Sequence, residues 1–293
     1  MMTTNMTNTT AATINKIIVH AGIFHADDIF CVALARIINP ECEVDRVFKI
    51  PDGVDVNATT GTVVADIGDG IFDHHHGDLT IRDDGCPKAA FGLMWAHYGH
   101  ALCEGDLAWR IVDDTLVRHI DAHDNGYIMG NPLSVLLSAF NPSWDEDELC
   151  TFDGTCLALT QFMSAVGVAE TLLKRAIESA NSTVRAEKTV ASYFEAAHDH
   201  IMVMEKFAPW GEYLKKIDNE NRTVWFIVFP SLRGGWSLQS VDSATYPLPA
   251  EWVENLPEGM TFCHKARFIA AAIDKETVIK YGKIAVNALS QTA

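Results

Sequence analysis

Residues 16–38, KIIVHAGIFHADDIFCVALARII, decide the fold. KIIV is a short, unbroken apolar run, the pattern of a strand buried on both faces of a parallel sheet. A polar stretch, HAGIFHADD (20–28), follows it. DIFCVALARII (28–38) then reads as a helix that stops before Pro40, because proline cannot continue one. EVDRVFKI (43–50) and GTVVADIG (61–68) are the next two strand candidates, with IFDHHH (71–76) close behind. Helical stretches follow near 89–102 and 107–123. Strands alternating with helices across short loops predict an α/β chain with a doubly wound, mostly parallel sheet.

The pattern changes after Asn141-Pro142. SWDEDE (143–148) is acidic and reads as a boundary, and two helices are expected beyond it, over 159–179 and 182–197. WFIVF (225–229) is β-branched and aromatic, SLRGG (231–235) has the composition of a hairpin turn, and GWSLQSV (235–241) resumes the alternation. A last helix is expected over 277–289. The expected organisation is a tail at 1–14, a catalytic domain at 15–142, a helical connecting section at 143–200 and a smaller α+β lobe at 201–293.

Composition narrows the function. Apolar residues make up 48% and charged residues 21%, ordinary for a globular chain, and no apolar run reaches membrane-spanning length. Seven cysteines, odd in number and with no CxxC pair, point to reduced thiols and a cytoplasmic setting. The first Lys or Arg is Lys16, so neither a secretory leader nor a transit peptide is expected. A net charge of −17 argues against long duplex nucleic acid, whose binding needs Lys and Arg against phosphate.

The chemistry concentrates in the first half, where nine of twelve histidines precede Asp124. In open α/β sheets ligands bind beyond the carboxyl ends of the strands. His20 ends the first strand, with His25 and Asp27 in the next loop; Asp66 ends the third strand; Asp73, His74, His75 and His76 follow; Asp121 and Asp124 lie near the end of LVRHIDAHDNG (116–126). Imidazole and carboxylate without thiolate suits Mn²⁺ or a similar divalent ion. So many donors fit a two-metal site with Asp66 as the bridge, of the kind that activates water and clamps a phosphate ester. His119 and His123 share a helix face and form a rival pair, but the zincin pattern H-E-x-x-H needs Glu where Ile120 stands.

HAGIFHADD, VVADIGD, FDHHH and IDAHDNG together resemble the DHH phosphoesterase superfamily, and more narrowly its branch named after the melanocyte proliferating gene (the MYG family). The likeness continues through residues 162–190, 205–214, 229–241, 248–252 and 262–270. It implies His20, His25, Asp27, Asp66 and His74 as metal ligands, and His75 as a contact to substrate phosphate. Asp121 would complete the second metal, with Asp124 as the alternative; His76 receives no role. The C-terminal lobe would bind substrate, and His264, Lys265 and Arg267 form a basic cluster suited to phosphate there. Ala270 and Ala271 stand where the family leads one to expect glycines, which weakens a backbone phosphate cradle, and Thr245 and Tyr246 stand where relatives tend to carry Arg.

The activity the resemblance implies is a 3′–5′ exoribonuclease on short single-stranded RNA or oligonucleotides, using two Mn²⁺ ions with Mg²⁺ as the alternative. A homodimer is left open. The residues alone reach only a two-metal hydrolase of phosphate esters or anhydrides. The rivals are a phosphoesterase or pyrophosphatase for a small nucleotide (a dinucleotide, pAp) and a metal-binding regulatory protein without turnover.

Overall fold

The computed structural model describes residues 13–75, 80–145, 157–218 and 223–291. The chain forms two compact units, residues 1–181 and 182–293.

In the first unit, β1 (Ile14–His20) buries Ile14, Ile17 and Val19 completely, the burial on both faces that KIIV requires. Helix α1 (Ala26–Ile38) returns the chain, and every residue from Ala26 to Ala35 is buried. β2 (Glu43–Val47) and β3 (Gly61–Val64) then pair in parallel with opposite edges of β1, giving the order β2-β1-β3. The second strand is shorter than EVDRVFKI suggests, since Phe48 is already exposed. α2 (Ala90–Tyr98) packs on α1, with the rings of Phe30 and Phe91 5.0 Å apart. Burying each such ring contributes about 2–3 kcal/mol.

The helix expected over 107–123 is one rod of three parts. α3 (Asp106–Val112) runs into a π-helical turn (Asp113–Val117) and then α4 (Arg118–Asp124). The rod ends at Asn125, and Gly126 takes the left-handed conformation (φ +65°) that glycine adopts without cost. α5 (Pro132–Ser138) starts from Asn131, whose side-chain oxygen accepts the Leu133 and Ser134 N–H groups.

One expectation fails here. The helices expected over 159–179 and 182–197 are a single 39-residue helix, α6 (Leu157–Glu195). Asn181-Ser182 is polar but lacks Gly or Pro, so nothing breaks the helical hydrogen bonding. Asn181 instead turns its amide outward: Oδ1 accepts the Glu104 N–H and Nδ2 donates to Leu102 O. The division between the units falls inside this helix, so the section expected to connect them belongs partly to each.

The second unit contains β4 (Ile201–Val203), α7 (Gly211–Ile217), β5 (Phe226–Pro230), β6 (Trp236–Ser240), β7 (Met260–Cys263), β8 (Ile269–Ala272) and α8 (Lys275–Ser290). The sheet order is β4-β5-β6-β8-β7, antiparallel except for β4 with β5. α8 lays Val278, Tyr281 and Ala285 on a core of Phe226, Val228, Leu238, Ala270 and Ala272. SLRGG does make the β5–β6 hairpin turn. A side chain at Gly235 would meet Ala272 O at 2.2 Å, and φ there is +70°. Gly235→Ala is therefore expected to cost 2 kcal/mol or more, roughly, measured as a lowered urea midpoint. Among the described residues, no helix is long and apolar enough to cross a membrane.

Candidate metal centre

Three chain segments meet beyond the carboxyl ends of β1 and β3, where an α/β sheet holds its ligand. His20 is the last residue of β1, and Asp66 lies two residues past β3. Asp66 has φ +60°, a left-handed conformation in which its N–H donates to Phe72 O. Holding a non-glycine residue there costs about 1 kcal/mol, tolerated best by Asp and Asn. The amino end of α1 supplies His25, Asp27 and Asp28, and carboxylates are favoured in the first turn by the helix dipole. The loop after β3 supplies His74 and His75, and Asp124 is the last residue of α4.

These side chains form three neighbouring groups, Asp66–His74–His75, His20–Asp28–Asp66 and His25–Asp27–Asp124, each with donor atoms within 4.8 Å of one another. Asp66 belongs to two of them. His20 Nε2 lies 3.2 Å from both Asp28 Oδ2 and Asp66 Oδ2. His74 Nε2 lies 3.2 Å from Asp66 Oδ1, 3.1 Å from Asp124 Oδ2 and 3.6 Å from Asp27 Oδ2. His75 is anchored through Nδ1 to Asp73 Oδ1 at 2.7 Å, and Asp73 Oδ2 accepts the Asp69 N–H. Two clefts of about 460 and 540 Å³ open on the cluster, both lined by His25, Asp66 and His75.

Charge here is strongly perturbed. Burial, with the nearby charges of Asp66 and Asp124, pushes the Asp27 carboxyl well above its usual range. Burial, with Asp66, lifts Asp28 to about 7 against the pull of His20. Burial also opposes ionisation of Asp66, but bonds from His20 and His74 hold it down at about 2. Both imidazoles respond in kind. Burial disfavours their charged forms, yet the surrounding carboxylates raise His20 to about 9 and His74 to about 10. The cluster is a concentration of buried negative charge that recruits positive charge.

A divalent ion fits that demand. Asp27 is fully buried, and neither of its carboxylate oxygens has a hydrogen-bond partner. Unpartnered buried carboxylates cost several kcal/mol each, which coordination would offset. The donors are oxygen and imidazole nitrogen without thiolate, a set that suits Mn²⁺ or a similar intermediate divalent ion better than an all-oxygen ion. Cys31 lies nearby, but burial raises its thiol well above the ordinary range, so it is no thiolate donor.

Of the residues singled out from sequence, the structure brings together His20, His25, Asp27, Asp66, His74, His75 and Asp124. It does not bring Asp121. That carboxylate is fully buried elsewhere, with Oδ2 2.7 Å from Arg82 Nη2 and Oδ1 accepting the Gly92 N–H. Of the two alternatives on α4, Asp124 faces the cluster. His119 and His123 do not join it as donors among the described residues, although His123 lines one cleft. His76 lies outside the described residues. His264, Lys265 and Arg267 belong to the second unit, in the turn between β7 and β8, where Arg267 Nε donates to Leu248 O at 2.6 Å.

Sequence reading missed Asp28, Asp73 as the anchor of His75, and Asn125, whose Oδ1 lies 3.3 Å from His74 Nδ1. A signal for Asp28 was present: it stands three residues after His25, where a carboxylate reaches back to the helix-capping N–H, and its Oδ1 does accept the His25 N–H.

The chain matches the model of a family described as MYG1_exonuc, an uncharacterised protein family (UPF0160), over residues 16–286. It is 25% identical to a MYG1 protein of Saccharomyces cerevisiae, covering 92% of this chain and 95% of the relative. A MYG1 protein of Schizosaccharomyces pombe is 27% identical, over 87% of this chain and 92% of the relative. Among solved structures, RecJ from Thermus thermophilus in complex with Mn²⁺ aligns over 94% of this chain at 11% identity with a TM-score of 0.30, and this chain spans about half (52%) of its length.

Proposed function

The chain belongs to the MYG1_exonuc family, and from that premise we propose that it is a metal-dependent phosphoesterase of DHH type, a 3′–5′ exonuclease on short single-stranded RNA or oligonucleotides. The observation that carries this reading is Asp66, whose buried carboxylate faces His20 Nε2 with Oδ2 and His74 Nε2 with Oδ1, each at 3.2 Å, so that its two oxygens address two different imidazoles as a bridging ligand must. The proposed ligands are His20, His25, Asp27, Asp28, Asp66, His74 and Asp124. Two divalent cations, Mn²⁺ or alternatively Mg²⁺, would supply an activated water and a clamp on the phosphate oxygens.

The protein's own part is positional. His75, 60% exposed and tethered through Nδ1 to Asp73 at 2.7 Å, lines both clefts and is the proposed contact to substrate phosphate. Asp73→Ala is expected to lower turnover about tenfold with Mn²⁺ affinity unchanged, since it frees the ring and removes no ligand. Steady-state kinetics alongside a metal titration checks this. His264, Lys265 and Arg267 are proposed as phosphate contacts of the second unit, the proposed substrate-binding lobe, and residues 15–142 as the catalytic domain.

The test is cleavage of 5′-labelled short RNA with Mn²⁺, with EDTA and with Asp66→Ala. Stepwise shortening only in the first condition is expected; equal cleavage in all three would sink the metal mechanism. The net charge of −17 favours a second reading, in which the substrate is a dinucleotide or other small phosphate compound needing few basic contacts. A ladder of substrate lengths separates the two by where turnover peaks. A metal-replete protein inert on every phosphoester would favour a regulatory role.

A further inference from the structure

We infer that Arg82 is a positioning residue of the metal centre, holding the rod that ends in Asp124 in the register that delivers that carboxylate. The inference rests on the metal-binding reading above. The Arg82 side chain is 9% exposed, and its guanidinium forks onto Asp113, Nε to Oδ2 at 3.1 Å and Nη2 to Oδ1 at 3.0 Å. Nη2 also meets Asp121 Oδ2 at 2.7 Å. One cation thus ties the π-helical turn to α4, one helical turn before Asp124.

The π-helical turn makes this bridge possible. In an uninterrupted α-helix, Asp113 and Asp121 are eight residues apart and would point about 80° away from each other. A π turn takes up one extra residue, about 100° of rotation, which brings both carboxylates to nearly the same face. Arg82 faces them from the turn after the histidine loop, in which its N–H bonds to Cys86 O and Lys88 N–H bonds to Thr80 O. On the far side, Asp121 Oδ1 receives the Gly92 N–H from α2. A side chain at Gly92 would sit 1.9 Å from Asp121 Oδ2, so the seat is closed on that side too. Asp121 therefore fixes α4 from inside, while Asp124 faces His74 across 3.1 Å. A lysine would keep the charge but not the fork that reaches both carboxylates.

Calorimetric titration of EDTA-stripped, full-length protein with MnCl₂ tests this, with circular dichroism to confirm folding. Arg82→Lys is expected to lose tenfold or more in the affinity of one ion while the other binds as in wild type. Gly92→Ala should produce the same selective loss with Arg82 intact. If Arg82→Lys does not fold, Asp113→Asn, which keeps the Arg82–Asp121 contact, is expected to weaken the same ion severalfold. Folded variants that bind both ions as wild type does would overturn the inference, since a purely structural role would lower the melting temperature and leave ion affinity alone. A wild-type chain that binds no Mn²⁺ would instead overturn the metal-centre reading, and this inference with it.

Discussion

Asp66→Asn is expected to empty the metal centre without unfolding the protein. Asparagine is the one uncharged residue besides glycine that readily takes the backbone at φ +60°, so the substitution changes the charge and spares the turn. The rings that lean on Asp66 keep their other partners, His20 its Asp28 and His74 its Asp124. What is lost is the carboxylate common to two donor groups. Metal catalysis of this kind is worth several kcal/mol, so turnover should fall by roughly a thousandfold or more, with Mn²⁺ binding lost in calorimetry. Asp66→Ala should lose the same activity and a further ~1 kcal/mol of stability, because alanine pays for the left-handed backbone. An Asn variant that binds Mn²⁺ with wild-type stoichiometry and affinity would refute the bridging role.

Removing the metal should expose a dependence of stability on pH that metal conceals. His20 and His74, raised from 6.5 to about 9 and about 10, add stability that is complete below pH 6.5 and lost as the pH climbs through those values. Asp28, raised from 3.8 to about 7, acts in the same direction, since folding increasingly opposes its ionisation between those values. Asp66, lowered from 3.8 to about 2, adds stability that is present above pH 3.8 and lost only as the pH falls through about 2. Metal-free protein should therefore lose a few kcal/mol between pH 5.5 and 9, on the order of what shifts of this size imply. Mn²⁺ at a hundred times its dissociation constant should add about 2.7 kcal/mol per site. Affinity itself should rise with pH, because metal and protons compete for the same atoms. Urea unfolding with EDTA and with Mn²⁺ at pH 5.5, 7 and 8.5 reads all of this. Metal-free stability that stays level or rises across the range would count against the picture.

The first unit was legible because its signals are local. KIIV has the unbroken apolarity of a strand covered on both faces, and His20 and Asp66 fall at strand ends that any such sheet points toward its ligand. The choice between Asp121 and Asp124 was not legible. The two are three residues apart on one helix, and Asp121 is engaged by Arg82, 39 positions before it, and by a backbone glycine N–H on another helix. The π-helical turn, Asp113–Val117, carries neither glycine nor proline and so leaves no breaker signal in the sequence. α6 misled for the opposite reason: Asn181-Ser182 has the look of a helix end, and only the partners of the Asn181 amide explain why the helix passes through it.

That long helix has a practical consequence for anyone dividing the gene. A fragment starting at residue 201 would look like a clean C-terminal module in the sequence, yet it would lack Ala186 and Val190, which are buried against Met202, Met204 and Ile227, and Tyr193 and Phe194 that pack beside them. Such a fragment would present an open apolar seam and should be expressed as insoluble material. A fragment starting near residue 182 keeps those four side chains, and it is the shorter piece that carries its own core.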